Sequence, residues 1–191
     1  MREKEIPREW QVLQYREPRA ILLKFDEFEN QILDQDLPED VRSLRVRPLR
    51  SAHYLRQAAL FCYGMSCTSR LNVEFAIFED KDFDCIARWR DSDTLHYCPI
   101  QLKELVPAHV NATANPEIEL AKLSKYADAE DLVVAFYVNR EVHLEFPLPV
   151  PANIAVSELW IYGATSPDRR HWMLYGDVLG TPMRHEFEYP S

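Results

Sequence analysis

The stretch FDCIARWRDSDTLHYCPIQLKEL, residues 83–105, decides how this chain is read. Its first seven residues, Phe83-Asp84-Cys85-Ile86-Ala87-Arg88-Trp89, are rich in apolar, aromatic and β-branched side chains, and residues 96–105 form a second run of similar character. Between them residues 90–94 are polar turn formers, so the pattern predicts two adjacent β-strands. Successive strand side chains alternate faces. Asp84, Ile86 and Arg88 therefore share one face of the first strand, with Phe83, Cys85, Ala87 and Trp89 opposite. On the second, Tyr97, Pro99, Gln101 and Lys103 share a face, with Cys98, Ile100 and Leu102 opposite. Paired at neighbouring levels, the two strands would gather a carboxylate, an amide oxygen and an ammonium in one patch. A hard cation such as magnesium takes oxygen ligands and keeps several waters. It lowers the pKa of a bound water and neutralises charge on a phosphate, while a lysine beside it orients that water or stabilises the transition state.

Working outward, residues 73–78 (VEFAIF) read as an earlier strand, followed by a polar turn at residues 79–82. Ser51 is a helix-capping residue type, and Tyr54, Leu55, Ala58, Ala59, Cys62 and Tyr63 recur at helical spacing, which predicts a helix over residues 51–65. After a loop at residues 107–115, Asn115 is placed to cap a helix with Pro116 at its first position. Ile118, Leu120, Ala121, Leu123 and Tyr126 give that helix an apolar face. Residues 132–138 (LVVAFYV) are nearly all apolar, as expected of a central strand covered on both faces. The order is helix, three strands, helix, strand. Upstream, residues 19–25 read as a strand and residues 26–34 as a short helix or turn. Downstream, a proline-rich connector at residues 147–151 leads to strands at 158–163 and 171–176 around the turn Ser166-Pro167-Asp168, and residues 185–189 suit a last edge strand. The C-terminal part either extends the sheet or adds a hairpin layer.

Asp84 followed by Gln101-Leu102-Lys103, set in that element order, resembles the restriction-endonuclease-like nuclease superfamily, written PD-(D/E)XK. The resemblance covers residues 51–139. It implies an α/β fold with a mixed central sheet flanked by helices, here with an N-terminal extension (residues 1–50), a nuclease-like core (51–146) and a C-terminal strand-rich addition of the same domain (147–191). It also implies metal-dependent hydrolysis of phosphodiester bonds with Mg2+ or Mn2+. Asp84 would then be a metal ligand, Gln101 a second ligand through its carbonyl in place of the family's usual acid, and Lys103 the water-orienting or charge-stabilising group. Phe83 stands where the family's proline would precede the aspartate. Residues 51–67 lack the acid that many members carry on the first helix; Glu74 is the nearest candidate, on the first strand. Glu104 points to the opposite strand face.

Composition sets the remaining bounds. The chain has 191 residues, 47% of them apolar, and a formal net charge of −9, which argues against non-specific coating of nucleic acid by the whole surface. Residues 1–40 hold six Lys/Arg and eleven Asp/Glu, whereas residues 41–70 hold six arginines and no acid. Arg42, Arg45, Arg47, Arg50 and Arg56 of this island suit phosphate oxygens, or else form a solvated face or a belt paired with the acidic N-terminal segment. The first gives a nucleic-acid partner, DNA before RNA. A contrasting expectation is a non-catalytic α/β interaction protein binding a protein or nucleic acid through residues 42–56. Cutting both strands of a duplex would suit a homodimer. No apolar run reaches the roughly 18 to 20 residues of a membrane span, and the charged N-terminus is unlike a secretory signal. A cytoplasmic protein with reduced thiols is expected from Cys62, Cys67, Cys85 and Cys98, whose spacing forms no zinc motif. The histidines make no metalloprotease pattern, and four glycines leave no phosphate-cradling loop. Lys122 and Lys125 suit phosphate approach or mere solubility. His109 is a loop residue open to substrate contact. Trp160, Tyr162, Trp172 and Tyr175 suit sheet packing or base stacking.

Overall fold

A computed structural model describes residues 6–32, 34–78, 80, 82–126, 129–145 and 147–191. The protein is mixed α/β, with seven strands hydrogen-bonded in chain order. These are β1 (Glu74–Ile77), β2 (Cys85–Asp91), β3 (Thr94–Leu105), β4 (Ala129–Val138), β5 (Val156–Ala164), β6 (His171–Gly176) and β7 (Met183–Glu188). The helices are α1 (Arg8–Gln11), α2 (Pro18–Ile32), α3 (Glu39–Arg42), α4 (Arg50–Ser69) and α5 (Pro116–Ala121), with 3-10 turns at Arg47–Leu49 and Lys122–Lys125. The chain forms two compact units, residues 1–99 with 190–191, and residues 100–189; β3 begins in one and ends in the other.

In the first unit the segment expected as a strand at 19–25 is helical, and α2 continues through most of the next expected element. Of residues 26–34, Leu33 lies outside the described residues. The reason is visible in the chain: Pro18 is preset for a first helical turn, and Ile21, Leu22, Phe25, Phe28 and Ile32 recur at helical spacing. Leu22 is fully buried. The adjacent Ile21-Leu22-Leu23 gives a local strand signal that packing overrides. Helix α4 also departs from expectation. It begins at Arg50 out of the 3-10 turn, with Arg50 N–H bonded to the Arg47 carbonyl, so Ser51 is not its cap. It runs past residue 65 to Ser69, the Ser66 and Ser69 hydroxyls bonding back to the Cys62 and Met65 carbonyls, and Arg70, at φ 60°, closes the end. Ser66 Oγ then accepts from Val73 N–H at 3.2 Å, fixing the step into β1. Strand β1 pairs antiparallel with β2, Phe75 opposite Ala87. Arg16 adds a bridge to Phe75 through two backbone hydrogen bonds. β2 turns into β3 over Ser92-Asp93, with Trp89 stacked on His96 at 5.2 Å. Of the turn expected at 79–82, Glu79 and Lys81 lie outside the described residues; Asp80 N–H bonds to the Phe83 carbonyl.

In the second unit Asn115 caps α5 as expected, its Oδ1 accepting from Ile118 N–H at 2.8 Å, with Pro116 next. The helix is shorter than its apolar face suggested and tightens into the Lys122–Lys125 turn. Residues 132–137 of β4 are all buried, so both faces of this strand are covered. β3 and β5 flank it, both parallel to it. The C-terminal part extends the sheet: β6 and β7 follow antiparallel, β7 at the edge. Tyr162 and Trp172 are fully buried, Tyr137 stacks on both, and Trp160 is 9% exposed. Trp160 lies against Gly176, where a Cβ would sit 2.5 Å from the indole. Tyr137, Trp160, Tyr162 and Trp172 are core, whereas Tyr175 is half-buried.

Candidate functional site

Gln101 lies on β3 opposite Val134 of β4, with Lys103 opposite Phe136. Gln101 is 8% exposed, so this part of the strand face is not a solvent face. An amide buried without hydrogen bonds costs a few kcal/mol, and Tyr126 removes that cost: its hydroxyl donates to Gln101 Oε1 at 2.9 Å. Gln101 Nε2 in turn donates to the Leu102 carbonyl at 3.3 Å. Tyr126 follows the Lys122–Lys125 turn and is itself 7% exposed. Two ammonium groups lie over its ring, Lys125 Nζ at 4.7 Å and Lys103 Nζ at 5.7 Å from the centroid, within reach of a cation–π attraction. Lys122 is held by Glu119 at 2.6 Å. This side of β3 therefore presents one oriented amide oxygen and two cations around a buried phenol.

Asp84, in the first unit, sits in a bend one residue before β2. Its carbonyl accepts from Phe78 N–H at 3.1 Å. Phe78 stacks on Phe83 and Trp10 meets Phe83 edge-on, both at 5.8 Å, so an aromatic cluster fixes the backbone from which the carboxylate projects. Next in the chain, the Cys85 thiol is pushed well up, first by burial, then by Cys62, Asp84 and Cys98; Cys62 is raised chiefly by burial as well. All four cysteines are free thiols. Glu74 on β1 is bound by Arg88 Nε at 2.8 Å. The Arg88 guanidinium also lies 4.0 Å from the Tyr15 ring centroid. Burial raises the Tyr15 phenol, the Tyr97 ring beside it adds to this, and Arg88 opposes it.

The arginine island divides. Arg56 is 14% exposed, paired with Glu29 of α2 at 2.5 Å and set over the Phe25 ring, so it ties α4 to the acidic N-terminal helix. Arg42 on α3 donates to the Gln35 carbonyl at 2.6 Å, and Arg50 donates to the Tyr54 hydroxyl at 3.1 Å over that ring. Arg42, Arg47 and Arg50 are exposed and Arg45 is half-buried. His109 is exposed in its loop, and Glu104 holds Asn139 Nδ2 at 2.7 Å.

Among the described residues no three His, Cys, Asp or Glu side chains group as metal ligands. The two expected metal ligands, the Asp84 carboxylate and the Gln101 amide oxygen, belong to different units. As oxygen donors they are of the kind that magnesium takes and unlike the nitrogen and sulfur ligands of a structural zinc site. Among the described residues no helix is long and apolar enough to cross a membrane. Comparison with known proteins returned no matching family, no matching curated protein and no matching solved structure. The sequence reading placed Tyr126 only on an apolar helix face. A buried tyrosine hydroxyl needs a partner, and that requirement was the signal for its polar role.

Proposed function

We propose that the protein is a metal-dependent nuclease with a restriction-endonuclease-like core, hydrolysing phosphodiester bonds in nucleic acid, DNA in preference to RNA. Asp84 and the Gln101 carbonyl would hold Mg2+ or Mn2+, and the ion would supply an activated water and charge neutralisation at the phosphate. Lys103 would orient that water or stabilise the developing charge. The observation that carries the reading is the setting of Gln101-Leu102-Lys103. β3 leaves a hairpin with β2 on one side and runs parallel to β4 on the other, with α5 in the connection, and its Gln101 carbonyl is buried and oriented. The order α4, β1, β2, β3, α5, β4 that the resemblance requires supports it as well. The exposed arginines Arg42, Arg47 and Arg50 would contact the phosphate backbone with Arg45, while Arg56 belongs to the fold. Calorimetric titration of Mn2+ into the full chain tests the metal claim. Saturable binding that is lost in Asp84→Ala and weakened in Gln101→Leu is expected; equal binding by wild type and Asp84→Ala refutes it.

A further inference from the structure

A second constellation lies wholly within residues 100–189, at the carboxyl ends of β4 and β5. A cleft of about 350 Å³ opens there, lined by the residues that follow each strand, among them Asn139, Arg140, Glu141, Thr165 and Arg169. These two strands are parallel neighbours, so their carboxyl ends and the loops that follow them open on the same edge of the sheet. Arg140 is anchored through one nitrogen only: Nη1 donates to the Ala114 and Asn111 carbonyls at 2.7 and 3.3 Å. Its Nε and Nη2, the side-on fork that grips an oxyanion with two parallel bonds, have no protein partner among the described residues. Arg169 reaches Asn139 Oδ1 through Nη2 at a long 3.4 Å, and neither guanidinium has a carboxylate partner among the described residues. Asn139 is itself fixed, its Nδ2 on Glu104 and its Oδ1 on the Tyr137 hydroxyl. The loop holds Arg169 in place at φ 56°, a left-handed conformation unusual for this residue type. Its N–H bonds to the Ser166 carbonyl, and its carbonyl accepts from Trp172 Nε1 at 2.7 Å. Glu141 also lines the cleft, so its lining residues carry two arginines and one acid.

We propose that this cleft is a binding site for a phosphoryl group, gripped by Arg140 and Arg169 with the Thr165 hydroxyl beside them. The inference does not rest on the nuclease reading, whose residues lie elsewhere. The phosphoryl group comes from a small phosphomonoester or from a nucleic-acid backbone, and the test separates these sources. Amide resonances of the full chain are followed by NMR while sodium orthophosphate, adenosine 5′-monophosphate or a short oligothymidylate is added at constant ionic strength. Saturable shifts confined to residues 139–141 and 164–169 are expected, weakened about tenfold or more by Arg169→Ala. Glu141→Gln should strengthen binding roughly two- to fourfold by removing a like charge, a gain that impaired folding cannot mimic. Saturation by the two small phosphates alone assigns a small-molecule ligand, and tighter saturation by the oligonucleotide assigns a backbone phosphate. Shifts reproduced by chloride at the same ionic strength, or affinity unchanged in both variants, overturn the proposal.

Discussion

The Tyr126 to Gln101 hydrogen bond is where the fold and the proposed chemistry depend on the same atoms. Both side chains are more than nine-tenths buried and the bond is 2.9 Å long. Tyr126→Phe deletes the donor of this buried bond, at a cost of about 1–3 kcal/mol. Gln101→Met deletes its acceptor, with a similar cost of about 1–3 kcal/mol. Because the double variant removes both polar partners, it should be less destabilised than the two single variants combined, by about 1 kcal/mol or more. The assay is urea unfolding of the four proteins, followed by both tryptophan fluorescence and far-UV circular dichroism, since two compact units need not unfold in one step. If the two single effects simply add, within about 0.3–0.5 kcal/mol, the buried bond does not exist as described and Gln101 is not oriented by Tyr126.

Other perturbations test the frame. Leu22→Ala empties a fully buried position on α2 and should cost about 2–5 kcal/mol in urea unfolding, whereas Val12→Ala, at an exposed position, should be near neutral. Gly176→Ala drives a methyl into Trp160; the crowding should cost about 1–3 kcal/mol and shift the tryptophan emission. A thiol-reactive dye should label exposed Cys67 in the folded protein and reach Cys62 and Cys85 only on unfolding. Folding raises the pKa of both buried thiols and so favours their neutral form. Their contribution to stability is full below the ordinary thiol value of about 8.5 and declines as pH rises above it, which urea midpoints between pH 7 and 10 will show.

How much of this was legible in the chain differs from element to element. Asn115-Pro116 specified a capped helix start, and the bounds of β6 follow directly from alternation around a turn. The all-apolar run 132–137 announced a strand buried on both faces. The failures share a physical cause. Ile21-Leu22-Leu23 is compatible with strand or helix over three residues, and only packing against α4 selects the helix. Ser51 is a good cap, yet the preceding 3-10 turn satisfies the helix start without it. Gln101 was identified from its spacing, but its burial and its partner 25 residues away depend on how α5 and the following turn return to the sheet. The pairing of Arg56 with Glu29 is one of the alternatives the charge pattern left open, and only three-dimensional contact selects it. Arg140 and Arg169 stood out in no motif, because a cleft at strand ends is assembled from two separate loops.

The most direct test of the central claim is cleavage itself. Purified protein is incubated with supercoiled plasmid, single-stranded DNA and RNA in the presence of Mg2+, Mn2+ or EDTA, beside Asp84→Ala and Lys103→Ala variants shown to be folded. The account predicts metal-dependent cleavage, strongest on DNA, that EDTA abolishes and both variants lose by at least about a hundredfold. Full metal-dependent activity in either variant, or no cleavage of any substrate by folded wild-type protein that binds no metal, would contradict it.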